Sequence, residues 1–216
     1  MSAPTPDQAR QSVIDACRRA WERGLLSGFN GNLSLRLGDA CLITCAGAAK
    51  GYLRTEDLVT VLLKVASEPG LQPLLADTGG ATFYAGSDAV SAMPPRQPSS
   101  ELGMHLSLYH ARPDIAAIVH THPSRLLALS LKTAERDFLR LPLFEAETLR
   151  AGLAFVPSLS PGTPELANAA AIAAAPVEIR ALWLQGHGLT CLGKTLTQAL
   201  ALAEELEHLA GVQLLA

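Results

Sequence analysis

The stretch Ile118-Val119-His120-Thr121-His122-Pro123 narrows the folds open to this chain more than any other. The apolar run over residues 115–119 predicts a short buried strand. Successive side chains of an extended chain alternate faces, so His120 and His122 point one way and Thr121 the other. Two imidazoles held on one face at the end of a rigid strand are two-thirds of a metal-binding tripod. The plain alternative is a pair of satisfied core or loop histidines, and the rest of the chain has to decide between them.

Around that strand, helical and extended patterns succeed one another. Val13, Ile14, Cys17, Ala20 and Trp21 recur at helical spacing and predict a helix over about residues 7–23, stopped by Gly24. Ser27-Gly28-Phe29-Asn30-Gly31-Asn32 is a loop of residues that tolerate positive φ. Leu33, Leu35 and Leu37 alternate with Ser34 and Arg36, the pattern of a half-buried strand, and Gly38-Asp39 turns it into a second strand over residues 41–44. Residues 58–65 predict a third. Residues 67–98, rich in proline and glycine and poor in periodicity, predict a long loop excursion with a short hairpin around Thr82-Phe83-Tyr84.

Ser99-Ser100-Glu101 opens a helix, with Ser as a cap and Met104, Leu108 and Ala111 on one face, and Pro113 ends it. Another helix is expected over residues 124–131, whereas residues 141–150 are ambiguous and 153–156 read as a strand. Thr163 as cap with Pro164 at the first position starts an Ala-rich helix. Residues 179–184 and 189–192 predict strands, and Thr195-Leu-Thr-Gln198 has capping-box spacing for a last helix ending before Gly211. The mixed order gives a layered α/β domain with at least one hairpin in its sheet. At 216 residues and 49% apolar content it reads as a single domain, 1–216, with a large core.

A net charge of −3 leaves no electrostatic footprint for nucleic acid or an anionic membrane. Residues 1–7 lack the pattern of a secretory signal, and apolar runs stop well short of the ~18 residues of a spanning helix. The four cysteines, Cys17, Cys41, Cys45 and Cys191, form no Cys-x-x-Cys pair and read as core residues of a reduced compartment, hence a cytoplasmic location. Cys41 with Cys45 as a redox or metal pair is the alternative.

His187, between Gly186 and Gly188 after a predicted strand, is the third imidazole. Three neutral imidazoles with an open position suit a catalytic divalent ion, Zn²⁺ first and another divalent metal second, whereas a closed structural site would normally bring cysteines. Glu101 would add a carboxylate at a helix start, where free amides favour an anion.

Taken together these residues resemble the class II aldolase/adducin family, whose bacterial members include fuculose-phosphate aldolases. The resemblance runs in order through Gly31-Asn32-Leu33-Ser34, Leu42-Ile43-Thr44 with Gly47, and Pro98-Ser99-Ser100-Glu101. It continues through His105-x-x-x-Tyr109, Arg112-Pro113-Asp114, Val119-His120-Thr121-His122, Pro161-Gly162-Thr163, Gly186-His187-Gly188 and the acidic last helix. It implies a three-layer α/β/α sandwich with a mixed central sheet, often assembled as a homotetramer with active sites between subunits. It implies Zn²⁺ on His120, His122 and His187, with Glu101 ligating the empty metal and serving as acid/base in a carbohydrate-metabolising lyase. It implies a phosphate cradle of Asn32, Gly47, Ser99 and Ser100 for a small hydroxy-carbonyl or sugar-phosphate substrate. The physics is compatible: carbon–carbon cleavage beside a carbonyl leaves an enediolate, which a dication stabilises and a carboxylate reprotonates.

The chain departs from the family pattern in places. Phe29 and Ala46 stand where a threonine and another hydroxyl residue are common in phosphate-using aldolases. Near Phe144 those enzymes carry a proton-donating tyrosine; Glu145 and Glu147 are the nearby substitutes. A decarboxylase or dehydratase of the same family would need the same electron sink. Two other readings compete. The segment Gly188-Leu-Thr-Cys-Leu-Gly193-Lys194-Thr195 matches the P-loop pattern, although its apolar middle predicts a packed strand. A non-catalytic, adducin-like interaction protein would be expected to have lost its ligands. His105, His110 and His208 read as helix surface or packing residues, and Tyr109 as core.

Overall fold

β1 (Asn32–Leu37) and β2 (Ala40–Thr44) form the expected hairpin, turned at Gly38 with φ of 62°. The computed structural model describes residues 4–63 and 96–216. β3 (Leu58–Leu62), β4 (Ala117–Thr121), β5 (Leu153–Val156), β6 (Ala181–Leu184) and β7 (Gly188–Gly193) complete, among the described residues, one sheet of order β3-β2-β1-β4-β7-β6-β5. Every neighbouring pair is antiparallel except β5 with β6, which are joined by a helical crossover. The sheet is therefore mixed. The end of the third strand beyond residue 63, nearly all of the 67–98 excursion and the hairpin around Thr82 lie outside the described residues.

The helices are α1 (Pro6–Glu22), α2 (Leu102–Ala111), α3 (Ser124–Lys132), α4 (Phe144–Ala151), α5 (Pro164–Ala174) and α6 (Leu196–Leu215). α1 starts in a capping box: Thr5 Oγ1 accepts from Gln8 N, and Gln8 Oε1 accepts from Thr5 N. Its buried Ala9, Val13, Ile14, Cys17 and Ala20 follow the helical period. Thr163 caps α5 as expected, and Ala167, Ala170 and Ala174 bury a narrow face of small side chains. α6 packs on β4 and β7 and carries α1 and α3, whereas α5 packs on β5, β6 and α2. Helices thus cover both faces of the sheet in a three-layer α/β/α sandwich. No helix among the described residues is long and apolar enough to cross a membrane.

Several local expectations shift. The strand predicted over 115–119 runs instead over Ala117–Thr121, so His120 lies within the sheet and His122 just past its end. The ambiguous segment before residue 151 is the helix α4. α6 continues through Gly211 to Leu215; an interior glycine costs only ~1 kcal/mol. A Cβ on Gly211 would also stand 2.9 Å from Arg125 Cδ, so the missing side chain makes room for Arg125. The P-loop look-alike is β7, buried throughout and paired on both edges, which leaves no loop to cradle a phosphate.

Candidate metal centre

Cross-strand pairing puts Asn32, His120 and Thr190 side by side in one row at the middle of the sheet. His120 is completely buried, and its Nδ1 meets Thr190 Oγ1 at 2.9 Å, which fixes the ring's orientation. His122 leaves the strand with its amide donating to Leu25 O. His187 rides the tight turn between β6 and β7, where Gly186 has φ of 70° and the His187 amide donates to Leu184 O. Glu101 stands immediately before α2, its amide donating to Ser99 Oγ at 3.3 Å. Ser99 therefore ties down the backbone of Glu101 rather than capping the helix amides.

The four side chains converge. His120 Nε2 lies 3.0 Å from Glu101 Oε2 and 3.0 Å from His122 Nε2, and His187 Nε2 lies 3.5 Å from Glu101 Oε1. The three imidazoles offer ligand atoms all within 4.8 Å of one another. Burial pushes the His122 ring down to about 4, with His120 and His187 adding to the push against the pull of Glu101. His187 is lowered by burial and by His120. Both rings are therefore neutral at pH 7, the state that binds metal. Burial opposes charge on Glu101, but His120, His187 and the hydrogen bonds from His120 and Asn32 outweigh it and hold the carboxyl well below the ordinary range.

A carboxylate and three imidazoles, His122 and His187 of them neutral, thus crowd one buried spot, and a divalent ion would give their lone pairs a common partner. Glu101 Oε1 is buried with no hydrogen-bond partner. Donor chemistry and the unpartnered oxygen both fit a divalent ion. The cysteines fit poorly: all four are buried and free, and burial pushes Cys41 up to about 12 and raises Cys45, which disfavours the thiolate a metal or redox pair requires.

The chain matches the family described as Class II Aldolase and Adducin N-terminal domain over residues 11–214. It belongs to that family. It is 32% identical over 200 residues to the L-fuculose phosphate aldolase of Haemophilus influenzae, covering 93% of this chain and 79% of the relative. It is 32% identical over 226 residues to the methylthioribulose-1-phosphate dehydratase of Pectobacterium atrosepticum, covering 95% and 93%. Among solved structures, YgbL of Klebsiella pneumoniae superposes with a TM-score of 0.76 at 29% identity, covering 97% of this chain and 89% of that one.

Of the remaining expected residues of this class II aldolase-family chain, Asn32 and Ser99 touch Glu101. Ser99 N donates to Thr44 O, Cys45 bridges to Pro98 and Ala46 N donates to Gln97 O, so the segment leading to Gly47 runs antiparallel to the one leading into Ser99. Gly47 is exposed with φ of 68° and open space where a Cβ would be. Ser100 is exposed, and Gly162 packs so closely that a Cβ there would stand 2.9 Å from Ser100 O. Asn32 reaches the cluster through Glu101, its Nδ2 donating to Oε2 at 2.9 Å. Phe144, Glu145 and Glu147 are instead exposed on α4, beside β5 at the edge of the sheet. Phe144 and Glu147 border a surface cavity of about 730 Å³ whose lining includes neither Glu101 nor the histidines.

Tyr109 is core as expected and His105 a packing residue, but the sequence did not show that both hydrogen-bond behind the cluster. His105 is fully buried and bonded to Asn32 and Ser34, and Tyr109 is buried against Ser34. The four-residue steps from Glu101 to His105 to Tyr109 were the available signal, because they share one helix face.

Proposed function

We propose that this chain is a divalent-metal-dependent lyase, with Zn²⁺ as the metal, acting on a small hydroxy-carbonyl or sugar-phosphate substrate. The observation that carries the reading is the convergence of His120, His122 and His187 on the buried, ionised Glu101. His120, His122 and His187 would hold the ion, and Glu101 would join them when no substrate is bound. A divalent ion there supplies a Lewis acid for oxygens beside the reacting carbon.

Glu101 is the acid/base. Its Oε2 is engaged by Asn32 and His120, while Oε1 has no hydrogen-bond partner and is the oxygen free to take or give a proton. Asn32, Gly47, Ser99 and Ser100 make the anion cradle for a phosphate: two hydroxyls, a side-chain amide and an open glycine backbone. The carboxylate takes one of the two Nδ2 hydrogens of Asn32. The buried setting keeps bulk water from Glu101, which is 5% exposed.

Aldol cleavage is the first reading of the lyase. A dehydratase is the second, supported by the dehydratase relative and by the absence of a hydroxyl at the exposed Phe144. A decarboxylase would use the same centre. The adducin-like interaction role is disfavoured, because all four chemistry-bearing side chains are retained. The chain is taken as one domain over 1–216 that works in the cytoplasm as a homo-oligomer, a tetramer by the family resemblance.

Elemental analysis of the purified protein beside His187→Ala tests the reading. About one zinc or other divalent ion per chain, lost in the variant, supports it and directs a screen of aldol cleavage and dehydration of ketose 1-phosphates. No metal in the wild type, even after reconstitution, overturns it.

A further inference from the structure

The strand β1 and the helix α2 are matched step for step. Along β1, Asn32, Ser34 and Arg36 share one face at two-residue intervals, about 6.6 Å per step. Along and just beyond α2, Glu101, His105, Tyr109 and Pro113 follow at four-residue intervals, about 6 Å per step in a helix. Each strand residue therefore bridges two successive residues of the helix row. Asn32 joins Glu101 to His105, at 2.9 Å and 2.5 Å. Ser34 joins His105 to Tyr109, at 2.7 Å and 2.8 Å. Arg36 donates to the carbonyls of Tyr109 and Pro113 and lies 4.8 Å over the Tyr109 ring.

The direction of every bond in this series follows from its end. An ionised carboxylate only accepts, so Asn32 must turn its NH₂ toward Glu101 and its oxygen toward His105. That oxygen requires N–H at His105 Nε2. A neutral ring then leaves Nδ1 as an acceptor, which takes the hydroxyl hydrogen of Ser34. Ser34 Oγ, its hydrogen used, accepts from Tyr109, whose other contact, Ala116 O, is longer at 3.4 Å. His105 is completely buried with both ring nitrogens engaged, Nε2 by Asn32 Oδ1 and Nδ1 by Ser34 Oγ, and a single neutral tautomer satisfies both. The row is a one-way chain of donors aimed at a single carboxylate oxygen.

We propose that His105 is a positioning residue for Glu101: acting through Asn32, it locks the amide so that Oε2 is held and Oε1 is left free toward His187. The proposal rests on the reading of Glu101 as part of a metal centre. Without the N–H of His105, Asn32 Oδ1 loses its donor and the carboxylate alone holds the amide, which is then free to tilt away from Oε2.

Two measurements test it. In metal-free, ¹⁵N-labelled protein at pH 7, long-range proton–nitrogen correlation should show His105 with hydrogen on Nε2 and none on Nδ1, assigned by its loss in His105→Gln. Hydrogen on Nδ1 overturns the proposal whether or not the chain is a lyase. The second measurement is the Zn²⁺ dissociation constant, by chelator competition, for wild type, His105→Leu, His105→Gln, Glu101→Gln and the Leu/Gln double variant. Loss of an outer partner costs about 10- to 100-fold in metal affinity. His105→Leu should weaken binding by about 10-fold, and His105→Gln, which keeps an N–H near the old Nε2, should recover most of it. In the Glu101→Gln background His105→Leu should add nothing, because its effect passes through the carboxylate. Full additivity, or wild-type affinity in His105→Leu, overturns the proposal. A wild type that binds no zinc overturns the lyase reading instead and leaves the first measurement standing.

Discussion

Gly188 lies so close to Thr121 that a Cβ built on it would stand 2.5 Å from the Thr121 carbonyl oxygen. The same atom would be 3.0 Å from His122 Cδ2 and 3.4 Å from His120 Cε1. The glycine after His187 is thus a gap into which the other two rings pack. Gly188→Ala must push β7 away from β4 or move both histidines. We expect a zinc affinity lower by about 10-fold or more and a stability loss of about 1–3 kcal/mol, the usual cost of overpacking. Chelator competition and urea unfolding check this; wild-type affinity in the variant would show that the rings do not depend on that gap.

Thr190 holds His120 from the other side. Its Oγ1 meets Nδ1 at 2.9 Å, so Nδ1 is occupied and Nε2 is directed at Glu101 and His122. Thr190→Val keeps the β-branched shape and removes the hydroxyl. The expected result is about 10-fold weaker zinc binding, the low end for an outer partner of a ligating histidine, with a far-ultraviolet dichroism spectrum unchanged. Undiminished affinity would mean that packing alone orients the ring.

What can be read from the sequence divides along a physical line. The histidine cluster is legible because each ring sits beside a local signal: an apolar run closing in His-x-His, and a turn of Gly-His-Gly. Glu101 is legible from its place at a helix start. The support behind it is not. Alternating Leu33, Leu35 and Leu37 predict a strand with Ser34 turned to water, yet Ser34 is completely buried because α2 covers that face with His105 and Tyr109. Periodicity measures hydrophobicity, and a buried interface built from hydrogen-bonding side chains carries no hydrophobic stripe. For the same reason His105 reads as either a helix surface or a packing residue until β1 and α2 are seen together. The run of α6 past Gly211 is hidden likewise, because that glycine makes room for Arg125 of α3, a contact between helices that no local pattern shows.

The segment after His122 is anchored from a distance. Pro123 precedes α3 and offers no capping side chain. Glu207 of α6 supplies the cap instead, Oε1 accepting from Arg125 N and Oε2 from Leu126 N, each at 3.0 Å. Glu207→Gln leaves one acceptor and removes the charge that favours a helix N-terminus. A loss of about 1–2 kcal/mol in urea unfolding is expected, together with weaker zinc binding, since α3 begins two residues beyond His122. An unchanged unfolding midpoint would mean that water satisfies those amides equally well.

Acid should weaken the metal-free fold earlier than carboxylate titration alone would. His105 is held down to about 3 against an unperturbed 6.5, by burial first and by His120 second. Between pH 6 and 4.5 the unfolded chain therefore takes up a proton at this residue that the folded chain refuses, so stability rises with pH across that window and falls as the solution is acidified. One such group contributes a slope of about 1.4 kcal/mol per pH unit where the unfolded form is fully protonated. His122 and His187 are lowered too and act in the same direction. Glu101, held below the ordinary carboxylate range, adds its own loss only lower, once unfolded carboxylates begin to protonate. His105→Gln has no proton to gain at any of these pH values. Its unfolding free energy, measured in urea with chelator present, should slope less steeply than wild type by up to about one proton's worth. Equal slopes would mean that His105 is already protonated in the folded chain, and the buried ring could not then be the neutral acceptor that its contact with Ser34 requires.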